Sequence, residues 1–190
     1  MADSPVVQKL ASKVKLLLMD CDGVLTDGRV WILESGDDQK AFHVRDGLGI
    51  ELLHRAGLRS GIISGRNSTA VERRARGLGM SFIRQGFVNK IEAFEETLIE
   101  AGVSSEHVAY IGDDLNDIPL MVHSGLGVAV ADGVPETRVV ANYVTKACGG
   151  RGAVREVVEL ILKSQGLWDK TVSEFLGVDT KDSGQLRQNE

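Results

Sequence analysis

The residues best placed for chemistry lie at Asp20-Cys21-Asp22-Gly23, directly after the apolar run Leu16-Leu17-Leu18-Met19. A short apolar run of this kind fits a strand buried on both faces of a parallel sheet. Asp20 and Asp22 then stand beyond its carboxyl end, where open α/β sheets place their ligands. Two acids there are costly unless something uses their charge. A hard cation such as Mg2+, which takes oxygen ligands, is the natural partner. A carboxylate can also attack phosphorus and split an ester hydrolysis into two easier steps through an acyl-phosphate. Asp20 is the candidate nucleophile. Asp22 can protonate the leaving alkoxide and later deprotonate water.

Further polar groups fall at the ends of other expected strands. Ser64-Gly65-Arg66 follows the run 59–63, and Gly112-Asp113-Asp114-Leu115-Asn116-Asp117 follows the run 107–111. Lys90 opens a helix, a position the helix dipole disfavours for a cation. Brought to one sheet edge, these acids, the Ser64 hydroxyl and the Lys90 ammonium make a site for a metal and a phosphate. Lys90 would neutralise charge on the transferring group. Each group also has a plainer reading. Ser64 suits a helix cap or turn, Asp114 and Asp117 suit caps for the next helix, and Lys90 suits a surface.

The elements that must position these residues alternate. Strands are expected at 14–19, 59–63, 80–83, 107–111, 126–130 and 142–145. Helices lie between them: one capped by Asp46 and stopped by Gly57, one capped by Asn67 or Ser68, and one from Lys90 to Gly102 with Ile91, Phe94, Leu98 and Ile99 at helical spacing. Pro119 and Pro135 suit first turns. An amphipathic helix carries Val154, Val157, Val158, Ile161 and Leu162, and a short one runs from Trp168 to Leu176. Two β-like runs, 29–33 and 40–44, flank a turn-forming stretch and read as an inserted β-hairpin. The class is α/β with a mostly parallel sheet. The expected layout is an N-terminal lead-in 1–13, one domain 14–165 and a C-terminal tail 166–190 with a polar, disordered end.

Composition narrows the partners. A net charge of -5 with no basic helix stripe argues against nucleic acid. No run of about 18 apolar residues suggests a membrane span, and residues 1–13 lack a signal peptide's apolar centre. Two cysteines, Cys21 and Cys148, make no disulfide framework, so a cytoplasmic protein is expected. The four histidines show no ligand spacing, and Arg73, Arg74 and Arg76 read as a solvated face.

Asp20-x-Asp22-Gly-Val, Ser64-Gly65, Lys90 and Gly112-Asp113-Asp114-x-x-Asp117, taken in order, resemble the four motifs of the haloacid dehalogenase superfamily. The resemblance implies a Rossmann-like parallel sheet flanked by helices. It makes Asp20 nucleophile and metal ligand, and Asp22 acid/base and a ligand through its backbone carbonyl. Asp113 would bind Mg2+ directly, Asp114 or Asp117 would support its water shell, and Ser64, Gly65 and Lys90 would hold the phosphoryl group. Neither the interval from Asp22 to Ser64 nor that from Ser64 to Lys90 has room for a cap domain, which points to the capless subgroup. Leu25-Thr26-Asp27-Gly28 and Gly149-Gly150-Arg151-Gly152 are similar to capless members that act on a sugar phosphate. The implied reaction is Mg2+-dependent hydrolysis of an eight-carbon 3-deoxy-2-keto sugar acid phosphate in lipopolysaccharide precursor synthesis. A nine-carbon analogue or a catalytically silent regulatory subunit is the alternative. Thr26, Arg66 and Arg74 are the candidate substrate contacts, Arg66 first, because a guanidinium suits a planar carboxylate. The subgroup also implies a homotetramer in which the hairpin or the tail closes a neighbouring site.

Overall fold

The computed structural model describes residues 4–34, 36 and 38–177. Its centre is β1 (Leu16–Met19), in which every side chain is buried. Alternation along this strand sends Leu17 and Met19 to one face and Leu16 and Leu18 to the other. β1 pairs in parallel with β4 (Arg59–Ser64) on one side and β6 (Val108–Gly112) on the other. Beyond β4 lies β5 (Phe82–Gln85), and beyond β6 lie β7 (Leu126–Ala129) and β8 (Tyr143–Val144). The order β5-β4-β1-β6-β7-β8 is parallel throughout. The chain builds outward from β1 through β4 and β5, then returns to the other side of β1 at β6. That reversal opens a crevice at the carboxyl ends of β1 and β6.

Helices cover both faces. One core joins the sheet to α1 (Pro5–Ala11), α2 (Val44–Arg55), α3 (Thr69–Gly77) and α7 (Ala153–Ser164), through residues such as Val7, Ile50, Val71 and Val157. The other joins it to α4 (Lys90–Ala101) and α5 (Ile118–His123), through Phe94, Leu120 and Met121. A short α6 (Pro135–Val140) leads to β8. α8 (Trp168–Leu176) follows α7, and its Trp168 ring lies 5.1 Å from the Arg155 guanidinium and 5.0 Å from the Lys163 ammonium. No helix among the described residues is long and apolar enough to cross a membrane.

Several expectations shift. The lead-in carries a helix that was not expected: Pro5 opens α1, which buries Val7 and Ala11. β5 starts two residues later than expected, at Phe82. In α4 the buried positions are Lys90, Ala93, Phe94, Thr97 and Ala101, while Ile99 is 82% exposed. The hairpin is much shorter than 29–44. Only β2 (Trp31–Ile32) and β3 (Asp38–Gln39) pair, antiparallel, and Val44 already begins α2. The 40–44 run alternates like a strand, yet Val44 is 81% exposed, so burial does not enforce that alternation. Asp46 does not cap α2. Its carboxylate accepts from the Gly152 and Arg155 amides (3.1 and 2.8 Å) and so caps α7. The intervals from Asp22 to Ser64 and from Ser64 to Lys90 hold only the hairpin with α2, and α3 with β5, so there is no cap domain. The expected disordered end lies outside the described residues.

Candidate active site

The Asp20 amide donates to the Ile111 carbonyl (3.0 Å), which carries the β1–β6 pairing one residue past the strand and sets Asp20 beside the β6 exit. The chain then folds into a compact loop. The Val24, Leu25 and Thr26 amides all donate to the Cys21 carbonyl. Gly23 holds φ +95 with the Asp113 carboxylate pressed against its Cα, where a Cβ would overlap it. The loop is braced from behind: the Gly150 amide donates to the Val24 carbonyl (2.8 Å), and a Cβ at Gly149 would overlap the Gly23 carbonyl oxygen.

Asp117, in a single 3-10 turn after β6, is fully buried and fully bonded. Its Oδ1 accepts from Lys90 Nζ (2.8 Å) and the Tyr110 hydroxyl (2.9 Å). Its Oδ2 accepts from the Asp113 and Asp114 amides (3.0 and 3.3 Å). Lys90, the first residue of α4 and 3% exposed, lies between Asp117 and Asp20 Oδ1 (2.7 Å). These two carboxylates offset the dipole cost of a lysine at a helix start. Burial alone would lower the Lys90 pKa, but Asp20 and Asp117 hold it above its usual value.

The centre carries an excess of negative charge. Burial, joined by the Asp117 charge and opposed by Lys90, pushes the Asp20 carboxyl up to about 7. Burial, then the charges of Asp20 and Asp117, pushes Asp113 up to about 8. Burial with the neighbouring Asp22 and Asp20 also pushes the Cys21 thiol up, away from thiolate. Oxygens of Asp20, Asp113 and Asp117 come within 4.8 Å of one another. Asp113 Oδ1 is buried with no hydrogen-bond partner among the described residues. An orphaned carboxylate oxygen beside a second carboxylate, in an all-oxygen set with surplus negative charge, fits a hard divalent cation. Asp117, whose oxygens are already taken, is fitted to hold its neighbours rather than the ion.

A cavity of about 190 Å3 opens over this centre. Asp20, Asp22, Lys90 and Asp113 line it, together with Ser64, Gly65 and Arg66 from the end of β4. Asp114 and Asn116 contribute from the β6 side. Asp114 is exposed, and its Oδ1 accepts from the Leu115 amide (2.7 Å). Two of the expected substrate contacts lie elsewhere. Thr26 is fully buried, and its hydroxyl is turned into the loop, bonded to the Cys21 carbonyl (3.3 Å). Arg74 stacks over the Phe42 ring (5.8 Å) and fills the space beside Gly47. Thr26 was expected because it sits in a matching stretch and Arg74 because a guanidinium suits a carboxylate, but packing directs each away from the cavity.

Three contributors were not singled out from the sequence. Tyr110 left a clue, since a tyrosine in a wholly buried strand needs a partner for its hydroxyl. Asn116 was lost inside the acidic motif. Lys40, whose ammonium is ion-paired with Asp22 and Asp38, left none.

A parallel sheet with a two-carboxylate loop at its switch point, a buried lysine and a second acidic turn defines a phosphoryl-transfer hydrolase. The chain belongs to the haloacid dehalogenase-like hydrolases, whose family model matches residues 63–156. Within that family it is 46% identical over 167 residues to 3-deoxy-D-manno-octulosonate 8-phosphate phosphatase KdsC of Salmonella typhimurium, spanning 88% of this chain and 89% of the relative. The crystal structure of the Yersinia pestis phosphatase of the same name superposes with TM-score 0.84 at 45% identity, covering 86% of this chain and 88% of that one. The Moraxella catarrhalis phosphatase, solved in complex with magnesium ion, phosphate ion and a KDO molecule, superposes with TM-score 0.86 at 43% identity, covering 89% and 97%.

Proposed function

We propose that this chain is a Mg2+-dependent phosphomonoesterase that hydrolyses 3-deoxy-D-manno-octulosonate 8-phosphate to the free sugar acid and phosphate. The observation that carries this reading is the Asp20–Lys90–Asp117 chain beside an orphaned Asp113 oxygen, at the floor of a cavity that Ser64 and Arg66 also line. The magnesium- and KDO-bound Moraxella catarrhalis relative supports the substrate and the ion.

Asp20 attacks phosphorus. The P–O ester bond breaks, the ester oxygen takes a proton from Asp22, and an aspartyl-phosphate remains. Asp22, now a carboxylate, then deprotonates a water that attacks the same phosphorus, releasing phosphate and restoring Asp20. Lys90, the Ser64 hydroxyl and the Gly65 amide hold the phosphoryl oxygens, and the Lys90 charge is fixed in place before the reaction starts. Mg2+, held by the carboxylates of Asp20 and Asp113 and the backbone carbonyl of Asp22, shields the attacking anion from the charge of the phosphate. Asp114 and Asp117 order the shell around that set. Arg66, 55% exposed and at the mouth, binds the substrate carboxylate. It also lines an adjoining cavity of about 410 Å3 with Asn67, Glu72 and Gln85, polar groups suited to a polyol chain.

An open site of this kind needs an enclosing element. Trp31 and Ile32, 63% and 75% exposed on the hairpin, support a homotetramer in which hairpins pack together and close neighbouring sites. The free thiols Cys21 and Cys148 support a cytoplasmic setting.

Phosphate release, with Mg2+ and with chelator, across eight- and nine-carbon 2-keto sugar acid phosphates tests the reading. Mg2+-dependent turnover with strong preference for the eight-carbon ester is expected. Preference for the nine-carbon ester would move the substrate while keeping the chemistry. No release from any ester would overturn the enzyme and leave a silent subunit.

A further inference from the structure

Among the described hairpin residues, Lys40 reaches Asp22 without lining the cavity. Its side chain is 0% exposed, although it leaves a short, solvent-facing hairpin. Its ammonium is bonded to Asp22 Oδ1 and lies 3.4 Å from Asp38 Oδ2. Asp38 Oδ1 in turn accepts from the Ser68 hydroxyl (2.6 Å), the same hydroxyl that accepts from the Val71 amide and caps α3. A line of bonds therefore runs from the cap of α3, through Asp38 of the second hairpin strand and Lys40 just past its end, to one oxygen of Asp22. The other oxygen, Oδ2, lies on the side of Arg66, 3.8 Å from its Nε. Asp22 and Arg66 both line the cavity; Lys40 does not.

A buried ammonium is retained where its charge is matched, and both of its partners here are carboxylates. That arrangement does for Asp22 what Asp117 does for Lys90. A carboxyl group pinned at one oxygen cannot turn about its χ2, so the other oxygen, on the Arg66 side, is the one presented to an ester. We infer that Lys40 is a positioning residue for Asp22, holding Oδ1 so that Oδ2 delivers the proton to the leaving oxygen. The inference rests on the phosphatase reading above. It adds that the hairpin is coupled to the acid step through this ion pair.

In the first chemical step the P–O ester bond breaks as Asp20 bonds to phosphorus, and the proton on Asp22 passes to the departing oxygen. An alkoxide needs that proton; a nitrophenolate hardly does. The test compares kcat/KM for an alkyl ester, 3-deoxy-D-manno-octulosonate 8-phosphate, with that for p-nitrophenyl phosphate, in the parent protein, Lys40→Met and Lys40→Gln. kcat/KM reports events up to the departure of the leaving group, so hydrolysis of the aspartyl-phosphate does not enter. The ratio of the two constants within one preparation is independent of the fraction folded.

General acid catalysis contributes about 10²–10⁴-fold, so Lys40→Met is expected to lower the alkyl value about 100-fold and the aryl value less than about threefold. Lys40→Gln carries the same comparison if the methionine variant yields no soluble protein. Loss of both esters in equal proportion would mean that Lys40 only supports the hairpin, and would overturn the inference, as would no loss on either. An inactive parent with both esters would instead count against the phosphatase reading.

Discussion

Asp20 and Asp113 hold their protons near neutrality because burial, then the Asp117 charge on Asp20 and the Asp20 and Asp117 charges on Asp113, disfavour the charged forms. A cation must displace those protons to bind. Mg2+ affinity is therefore expected to weaken by at least about tenfold between pH 8 and pH 6, which isothermal titration calorimetry without substrate can measure. Stability follows the same sign. With folded-state values of about 7 and 8 against 3.8 for an ordinary aspartate, the metal-free fold binds more protons than the unfolded chain across that window. Its stability then falls as pH rises from about 4 to 8, and Mg2+ should raise Tm more at pH 8 than at pH 6.

Asp117 makes a sharper case. Every one of its partners is a donor, so in Asp117→Asn the amide nitrogen must face either Lys90 with Tyr110 or the two backbone N–H groups. We expect a loss of about 3 kcal/mol in denaturant unfolding, as for a broken buried pair, together with a fall in kcat of about 100-fold, since Lys90 loses its second anchor. At this scale the acids, Ser64 and Lys90 were legible in the sequence because each follows a recognisable strand or opens a helix. Lys40 was not, because its partners Asp22 and Asp38 meet it only after the hairpin has folded back.

Between elements, a close backbone approach and one buried carboxylate matter most. Gly149 and Gly150 press the loop that follows Asp20 from behind at a separation that excludes any side chain. In Gly149→Ala the loop must retreat, so kcat should fall at least about tenfold while overpacking costs about 1–3 kcal/mol of stability in the same protein. Unchanged kcat would show that the loop tolerates displacement. Asp46 links α2 to α7 across a long stretch of chain. Asp46→Ala is expected to cost about 2 kcal/mol in thermal or denaturant unfolding, the upper end for a lost cap, while α2 keeps its own start at His43.

A local rule of capping found Ser68, whose hydroxyl meets the amide three residues on. The same rule misassigned Asp46, because its acceptors belong to a helix distant in sequence. The hairpin was overextended for a related reason. Alternation along 40–44 satisfies a strand pattern, but pairing stops at Gln39, and Lys40 turns inward to its carboxylates.

For the molecule as a whole, sheet order decides everything else. Alternating strand and helix signals made the parallel α/β class readable, and the short intervals between motifs excluded a cap domain. They did not reveal that the chain reverses at β1, which brings β4 and β6 to its two sides and so joins Ser64 to Asp113 over one cavity. Nor did they reveal α1, whose Val7 and Ala11 complete the core on the α7 side. The proposed assembly of hairpins can be checked at this scale. Ile32→Asp places a charge in the middle of the exposed apolar pair on the hairpin. It should shift sedimentation velocity profiles from tetramer toward smaller species, and lower kcat/KM for the sugar phosphate with them.

The two tryptophans divide the molecule between them. Trp31 stands in solvent on the hairpin, whereas Trp168 is stacked between Arg155 and Lys163 where α8 meets α7. Intrinsic fluorescence therefore carries two separable signals. Emission from Trp31 moves to shorter wavelength when the hairpin is covered, and emission from Trp168 changes when α8 lifts from its cations. Single Trp→Phe variants would turn the unlabelled protein into an optical reporter of each event in turn.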